Sequence, residues 1–423
     1  MDIFQRYIDQ QKGNYSNCLD QPDKDASIFV VIPCFNEPDI LPTLNSLAGC
    51  YPARAKTAVL VVVNDAENAP SEAVAQNIST LNNIAQWKHD HPGIFFGVQR
   101  IYVHALPQKW AGVGWARKIG MDEAVKQIAD QNLPDGIIIS LDADSTVLPN
   151  YLQTIETAFS EKPLFNFFTI YFEHPFKSGE LSRSLREGII RYELHMRYYR
   201  NALEWSGYPH AIHTVGSSFA LRGSAYVKQG GMNRRKAGED FYFLHKLVLL
   251  GQYGNIGTTT VFPASRCSDR VPFGTGAAMK KWVEGGDELN YTYPLAAFDH
   301  LKPLFTDASR FYDMNTAGIH ASIDCLDPIL QSWCRHSNLV EEMVELKNNC
   351  SNAKVFEKRF FDLFNAFRIL KYLNFVHQTT LVRATLNCEP GLLLQKIGIQ
   401  ADNNSSPESL LEIYREIDKK KGC

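Results

Sequence analysis

Three nearly unbroken apolar runs, residues 28–32, 58–63 and 136–141, do most to constrain the fold. A strand with one wet face alternates apolar and polar residues. A strand without alternation is covered on both faces, as in a parallel sheet between helix layers. Pro33 stops the first run. A helix is expected from about residue 39, with Ile40, Leu41, Leu44 and Leu47 on one side. Residues 112–117 lead into another that carries Ile119, Ala124, Val125 and Ile128. Residues 95–98 and 101–103 are weaker strand candidates. This β-α-β-α order predicts a Rossmann-like α/β fold with a mainly parallel sheet flanked by helices. Its ligands should sit beyond the carboxyl ends of the strands, where Asn36, Asp65 and Asp142 all fall.

The 423 residues leave room for two or three domains, or for one large α/β domain with extensions. At 45% hydrophobic and 21% charged residues, the chain can bury a sizeable core. A formal net charge of −3 argues against general nucleic-acid binding. No apolar stretch approaches the ~20 residues that cross a bilayer, and the first six residues lack a signal-like apolar core. The nine cysteines are odd in number and include no C-x-x-C pair. They read as reduced thiols in a cytoplasmic protein.

Asp142 and Asp144 flank Ala143 just past the third run. A strand end projects alternate side chains to one side, so two such carboxylates can converge on a hard divalent cation that keeps positions open for phosphates. The same spacing at Asp23 and Asp25 has no strand before it, so the context carries the information. A solvated acidic turn is the competing reading. Further on, residues 165–172 are aromatic and extended. Leu185, Ile189, Tyr192, Met196 and Tyr199 mark an amphipathic helix dressed by Arg186, Arg191, Arg197 and Arg200. That helix reads as a cover for the sheet with solvated arginines, or as a membrane-surface face. Residues 214–222 read as a strand through small residues, and Gly238, Glu239 and Asp240 open a helix over 241–249. By itself, Glu239-Asp240 also fits simple complementation of a helix dipole.

Together these segments resemble family 2 glycosyltransferases. The elements are residues 31–37, 61–65, 114–120, 141–144, 216–222 and 238–240, in the family's order. The resemblance covers roughly residues 27–250 and implies a GT-A fold. It suggests an N-terminal segment (1–26), a catalytic domain (27–279) with a nucleotide half (27–145) and an acceptor half (146–279), and a helical C-terminal extension (280–423). It assigns Pro33, Asn36 and Glu37 to a loop along the nucleoside and Asp65 to a hydrogen bond from uracil. Arg117 would lie on the diphosphate side, where its fork of donors suits phosphate oxygens, with Lys118 turned about 100° away. Asp142 and Asp144 would hold Mg²⁺ or Mn²⁺ against the phosphates. Asp240 would be the general base, tuned by Glu239, in an inverting transfer from a nucleotide sugar, a UDP-sugar by this resemblance, to an acceptor hydroxyl. The acceptor class stays open among glycans, lipid-linked molecules and small molecules.

The chain departs from the family pattern in places. Asn64 stands where the second-strand element usually has its first acid, and the Gln-x-x-Arg-Trp element of the processive synthases is missing. In its place, residues 265–276 carry Arg266 and Arg270 beside a Gly-Thr-Gly stretch. This segment reads as a loop closing over a diphosphate through Arg270, or as a solvated connection. Beyond residue 280, Phe356, Phe360, Leu363, Phe367 and Leu370 form a helical stripe widened by Phe361, Phe364 and Leu373. It reads as core, or, given its basic neighbours, as a peripheral contact with the inner face of a membrane. Ser406, Pro407 and Glu408 start a last helix. His213 and His245 read as core or surface residues, with His213 the one that has some claim to a third metal position. A catalytically silent sugar-nucleotide-binding scaffold and a sugar nucleotidyltransferase are the competing functions.

Overall fold

In the computed structural model, β1 (Ala26–Cys34), β2 (Lys56–Ala66), β3 (Phe96–Leu106) and β4 (Ile137–Ser140) run parallel in the order β3-β2-β1-β4. The structure describes residues 2–11, 18–177, 179, 181–233, 238–270, 273–379, 382–401 and 405–422. As the unbroken apolar runs require, β1 and β2 are buried almost from end to end. Pro33 does not stop the first strand; it pairs with Val62, and β1 runs on to Cys34. The two weak strand candidates are one continuous β3.

Helices α1 (Ile3–Gln10), α2 (Leu41–Ala48), α3 (Ser71–Asp90) and α4 (Val113–Asp130) accompany these strands. Gly120 lets α4 lie directly on the sheet. A Cβ there would stand 2.4 Å from Val31 Cγ1 and 2.9 Å from Val62 Cγ2. At its middle α4 holds α1 through a buried polar knot. Asp122 accepts from Tyr7 Oη, Tyr226 Oη and Lys118 Nζ, each at 2.7 Å. Tyr7→Phe should cost about 1–3 kcal/mol, because the buried carboxylate loses a donor that nothing replaces. A urea midpoint unchanged from wild type would show that the knot contributes nothing.

The sheet continues through β5 (Thr146–Val147), β6 (Phe167–Phe172), β7 (Phe219–Arg222) and β8 (Tyr253–Phe262), giving the full order β3-β2-β1-β4-β7-β6-β8-β5. β7 is antiparallel to β4 and to β6, β6 is parallel to β8, and β8 is antiparallel to β5. The remaining helices here are α5 (Tyr151–Glu161), α6 (Arg183–Trp205), α7 (Gly223–Lys228), α8 (Glu239–Leu247) and α9 (Thr275–Val283). Only the last four residues of the expected 214–222 strand are extended; the rest is a loop.

The chain divides into two units. The sheet-bearing one comprises Met1–Ile189, Thr214–Glu284 and Arg415–Cys423, and the other comprises Ile190–His213 and Gly285–Tyr414. Residues 415–422 therefore return to the sheet-bearing unit. There Lys419 Nζ lies 2.7 Å from Glu173 Oε1, and Arg415 Nη2 donates to the His174 carbonyl at 2.9 Å. Gly257 and Gly422 meet so closely that a Cβ on Gly422 would stand 2.2 Å from the Gly257 nitrogen.

The second unit contains α10 (Leu295–Thr306), α11 (Thr316–Asp324), α12 (Pro328–His336), α13 (Leu339–Asn348), α14 (Ala353–Leu363), α15 (Ala366–Thr379) and α16 (Glu389–Lys396). A two-stranded pair joins β9 (Tyr291–Thr292) to β10 (Ala384–Thr385). The expected 356–373 stripe is two helices, broken where Asn365 Oδ1 caps α15 by accepting from the Arg368 nitrogen. Phe356, Phe360, Phe361 and Phe364 are buried as core, whereas Phe367 is 40% exposed. Arg197 is not solvated; it is wholly buried and bonded to Glu193 one turn earlier through Nε at 2.8 Å. The last helix, α17 (Pro407–Lys420), crosses the boundary between the units. Among the described residues, no helix is long and apolar enough to cross a membrane.

Candidate active site

Topology gathers the site. Because β7 runs antiparallel to β4, its first residue Phe219 pairs with Ser140, the last residue of β4. The loop entering β7 therefore lies beside Asp142, and Ser140 Oγ donates to the Gly216 carbonyl at 2.6 Å. Likewise Phe262, ending β8, pairs with Thr146, two residues past Asp144. The segment after β8 is thereby delivered to Asp144.

The charges of the site alternate in sign. Arg117, buried in α4, donates through Nη2 to Asp142 Oδ1 at 2.6 Å and through Nη1 to Glu239 Oε1. Its Nε is buried with no hydrogen-bond partner among the described residues. Burial would lower the Arg117 pKa, but Glu239, Asp142 and Asp240 outweigh it and hold the guanidinium charged. Burial raises the Asp142 carboxyl above the usual range, against the pull of Arg117. Asp240 is pushed up to about 7, chiefly by burial and then by the negative charge of Glu239. Gly216 leaves the space in which this cluster closes. A Cβ there would stand 2.8 Å from Arg117 Nη2 and 3.2 Å from Asp240 Oδ2. α8 starts on Gly238 at φ 68°, a left-handed conformation that suits glycine. Asp240 Oδ1 also accepts from the Phe241 nitrogen at 2.7 Å.

On the other side of the site, Arg266 and Arg270 are folded onto acids. Arg266 Nη2 and Arg270 Nη1 both donate to Glu37 Oε2. The Nη2 atoms of the two arginines reach Asp144 Oδ2 at 2.9 and 3.0 Å. Asp142 Oδ2 and Asp144 Oδ1 take no hydrogen bond among the described residues. At the end of β2, Asp65 is buried. Its Oδ1 accepts from His104 Nδ1 at 2.8 Å and the Ala105 nitrogen at 2.9 Å, and its Oδ2 from Tyr102 Oη at 3.1 Å and Asn77 Nδ2 at 3.2 Å. Asn77 Oδ1 in turn accepts from the Asn36 nitrogen at 2.9 Å.

The sequence profile described as Glycosyl transferase family 2 matches residues 29–226, the segment that builds β1 to β4, β7 and the Gly216 loop. Residues 29–226 are a family 2 glycosyltransferase domain. By that membership the chain is a glycosyltransferase. No curated protein matches it in sequence. Among solved structures it is similar to S. aureus TarS 1-349 in complex with UDP. The identity is 11%, the TM-score is 0.41, and the match covers 81% of this chain and 93% of that one. The complex of the same fragment with UDP-GlcNAc gives 12%, 0.40, 81% and 93%.

The structure brings Asp142, Asp144, Asp240 and Glu239 together around the end of β4 and the start of α8. Two expectations need correction. Arg117 does not offer its fork to a diphosphate: both Nη groups are spent on carboxylates and the whole side chain is buried. Glu37 does not lie open along a nucleoside; its carboxylate is buried beneath Arg266 and Arg270. Pro33 sits inside β1, beside β2, and contributes backbone only. Among the described residues no group of three His, Cys, Asp or Glu could hold a metal ion, so no third protein ligand, His213 included, joins the two aspartates. Val271 and Pro272 of the expected closing loop lie outside the described residues. Sequence reading missed Asn77, Tyr102 and His104, which belong to no motif and meet Asp65 only through the packing of α3 and β3 on β2. It also missed that Arg266 shares both partners of Arg270.

Proposed function

We propose that the chain transfers a sugar from a uridine diphosphate sugar to an acceptor hydroxyl with inversion at the anomeric carbon. One observation carries this reading. The carboxylates at the end of β4 and the carboxyl of Asp240, held near neutral pKa, meet at one edge of the sheet around Gly216. A carboxyl poised near the working pH suits a general base. Asp240 takes the proton of the acceptor hydroxyl as its oxygen bonds to the anomeric carbon and the bond to the diphosphate breaks. Arg117 fixes Asp142 and Glu239 in place beside the base.

The donor set fits Mg²⁺ or Mn²⁺. Two hard carboxylate oxygens, Asp142 Oδ2 and Asp144 Oδ1, are unengaged, and such ions commonly complete their shell with phosphate oxygens and water. A bound ion would supply charge neutralisation for the departing nucleoside diphosphate. Arg266 and Arg270 neutralise Asp144 and Glu37 from the opposite side, within reach of the same phosphates.

Asp144→Asn is expected to abolish metal-dependent UDP binding without unfolding the chain, since the residue is half-buried at a strand end. Calorimetric titration of UDP with and without Mn²⁺ decides it. Equal affinity of mutant and wild type in Mn²⁺ would remove Asp144 from the site.

A further inference from the structure

Asp65 has no acceptor position to spare. A carboxylate offers about four lone-pair sites, and in this one all four are taken, by His104, the Ala105 nitrogen, Tyr102 and Asn77. Its side chain is also wholly buried, whereas the His104 side chain above it is 57% exposed. The backbone puts His104 there: Ala105 turns at φ 56°, outside the ordinary strand conformation, and its nitrogen binds the same Oδ1 that His104 binds. Tyr102 stacks on the imidazole with ring centroids 5.7 Å apart.

The strand order sets what this imidazole faces. A nucleoside diphosphate whose phosphates lie at Asp142 and Asp144 on β4, and whose nucleoside crosses β1, presents its base at the ends of β2 and β3. Neighbouring strands are about 4.8 Å apart, so β3 lies about 14 Å from β4 along the sheet edge. His104 stands at that far end.

We propose that His104, not Asp65, reads the base, and that Asp65 is a positioning residue that acts through it. This rests on the donor reading given above. Nδ1 lies 2.8 Å from Asp65 Oδ1, which as a carboxylate oxygen only accepts, and 3.2 Å from Tyr102 Oη, so Nδ1 is the donor. In the neutral ring Nε2 is then an acceptor, and it takes no hydrogen bond among the described residues. An acceptor at that place pairs with an imide N–H. Uracil has one at N3; cytosine presents a lone pair there and gains no bond. The recognised ligand class is therefore a nucleoside diphosphate whose base carries an imide-type N–H, and His104 is its specificity determinant.

The experiment titrates UDP and CDP separately, in Mn²⁺, into the full-length wild type, His104→Ala, and His104→Ala combined with Asp65→Asn. Wild type should bind UDP about tenfold more tightly than CDP, the value of one neutral hydrogen bond. His104→Ala should lose that factor for UDP, change little for CDP and bring the ratio close to one. Its melting temperature should fall somewhat, because the buried Asp65 carboxylate loses a donor, and unchanged CDP affinity is the check that the site stays folded. Adding Asp65→Asn should leave the ratio where His104→Ala put it, since a residue that acts through His104 has nothing left to position. A ratio kept in His104→Ala, in a wild type that binds UDP, overturns this inference and leaves the donor reading standing. A further fall of the ratio in the double variant overturns the relay by showing direct contact from Asp65. Binding of neither nucleotide by wild type overturns this inference and the donor reading together.

Discussion

Turnover of Asp240→Asn should fall by about 10²–10⁴-fold while its affinity for UDP and metal stays at the wild-type level. Asp240 lies in the first turn of α8, whereas both carboxylates assigned to the metal follow β4. Asparagine preserves the bond from the Phe241 nitrogen and caps a helix about as well as aspartate, so a purely structural Asp240 would tolerate the change. pH gives an independent check. With the Asp240 pKa raised to about 7, the active basic form fills as pH rises, and the rate should climb through about pH 7 to a plateau. Stability moves the opposite way. Between the ordinary carboxyl range near 4 and about 7 the folded state binds more protons than the unfolded one, so this group's contribution falls as pH rises through that window. Near-wild-type turnover with an identified acceptor would remove Asp240 from the chemistry and point to Glu239.

Arg117→Met should be the most destabilising single change at the site, by about 3–5 kcal/mol, the range for breaking a buried ion pair by removing one partner. Glu239 is 3% exposed and is left with no ion-pair partner for its carboxylate among the described residues, whereas Asp142, with 35% of its side chain exposed, recovers part of its loss in water. Part of the penalty belongs to Asp142, whose carboxyl is held above the usual range by burial, so it should shrink as the pH falls and Asp142 protonates. Denaturant unfolding of wild type and mutant at pH 7 and pH 4 measures both effects. Arg117→Lys should recover only part of the loss, since an ammonium lacks the fork that reaches two acids in different directions. A mutant as stable as wild type at pH 7 would mean that solvent, not Arg117, balances these acids.

Local pattern was enough for some elements and failed for others, for identifiable reasons. β1, β2 and β4 were legible because strands buried on both faces need apolar side chains throughout. β3 was not, because it carries Gln99 and Arg100, whose partners come from afar. Gln99 exchanges amide bonds with Gln127 of α4, and Arg100 is paired with Asp20 at 2.8 Å. β8 was missed altogether, since glycine and threonine give it no apolar signature. The 356–373 stripe kept helical phase across a real break, because both helices feed the same aromatic core. At the site, residue types and order singled out Asp142, Asp144 and Asp240 as candidates. They could not reveal that Arg117 faces inward or that His104 covers Asp65. Those facts depend on which side of α4 meets the β7 loop and on one left-handed residue at the end of β3.

The return of residues 415–422 to the sheet-bearing unit makes the order of synthesis matter. A ribosome that has released residue 284 has delivered every catalytic carboxylate, but not Arg415 or Lys419, which neutralise Glu173 beside β6. At about 5–20 residues per second, those groups follow some 6–26 s later. During that interval the nascent enzyme carries its full catalytic sequence on a sheet whose flank still exposes an unpaired acid and the glycine step at Gly257. The second unit is made in the meantime, so the first to begin is the last to close.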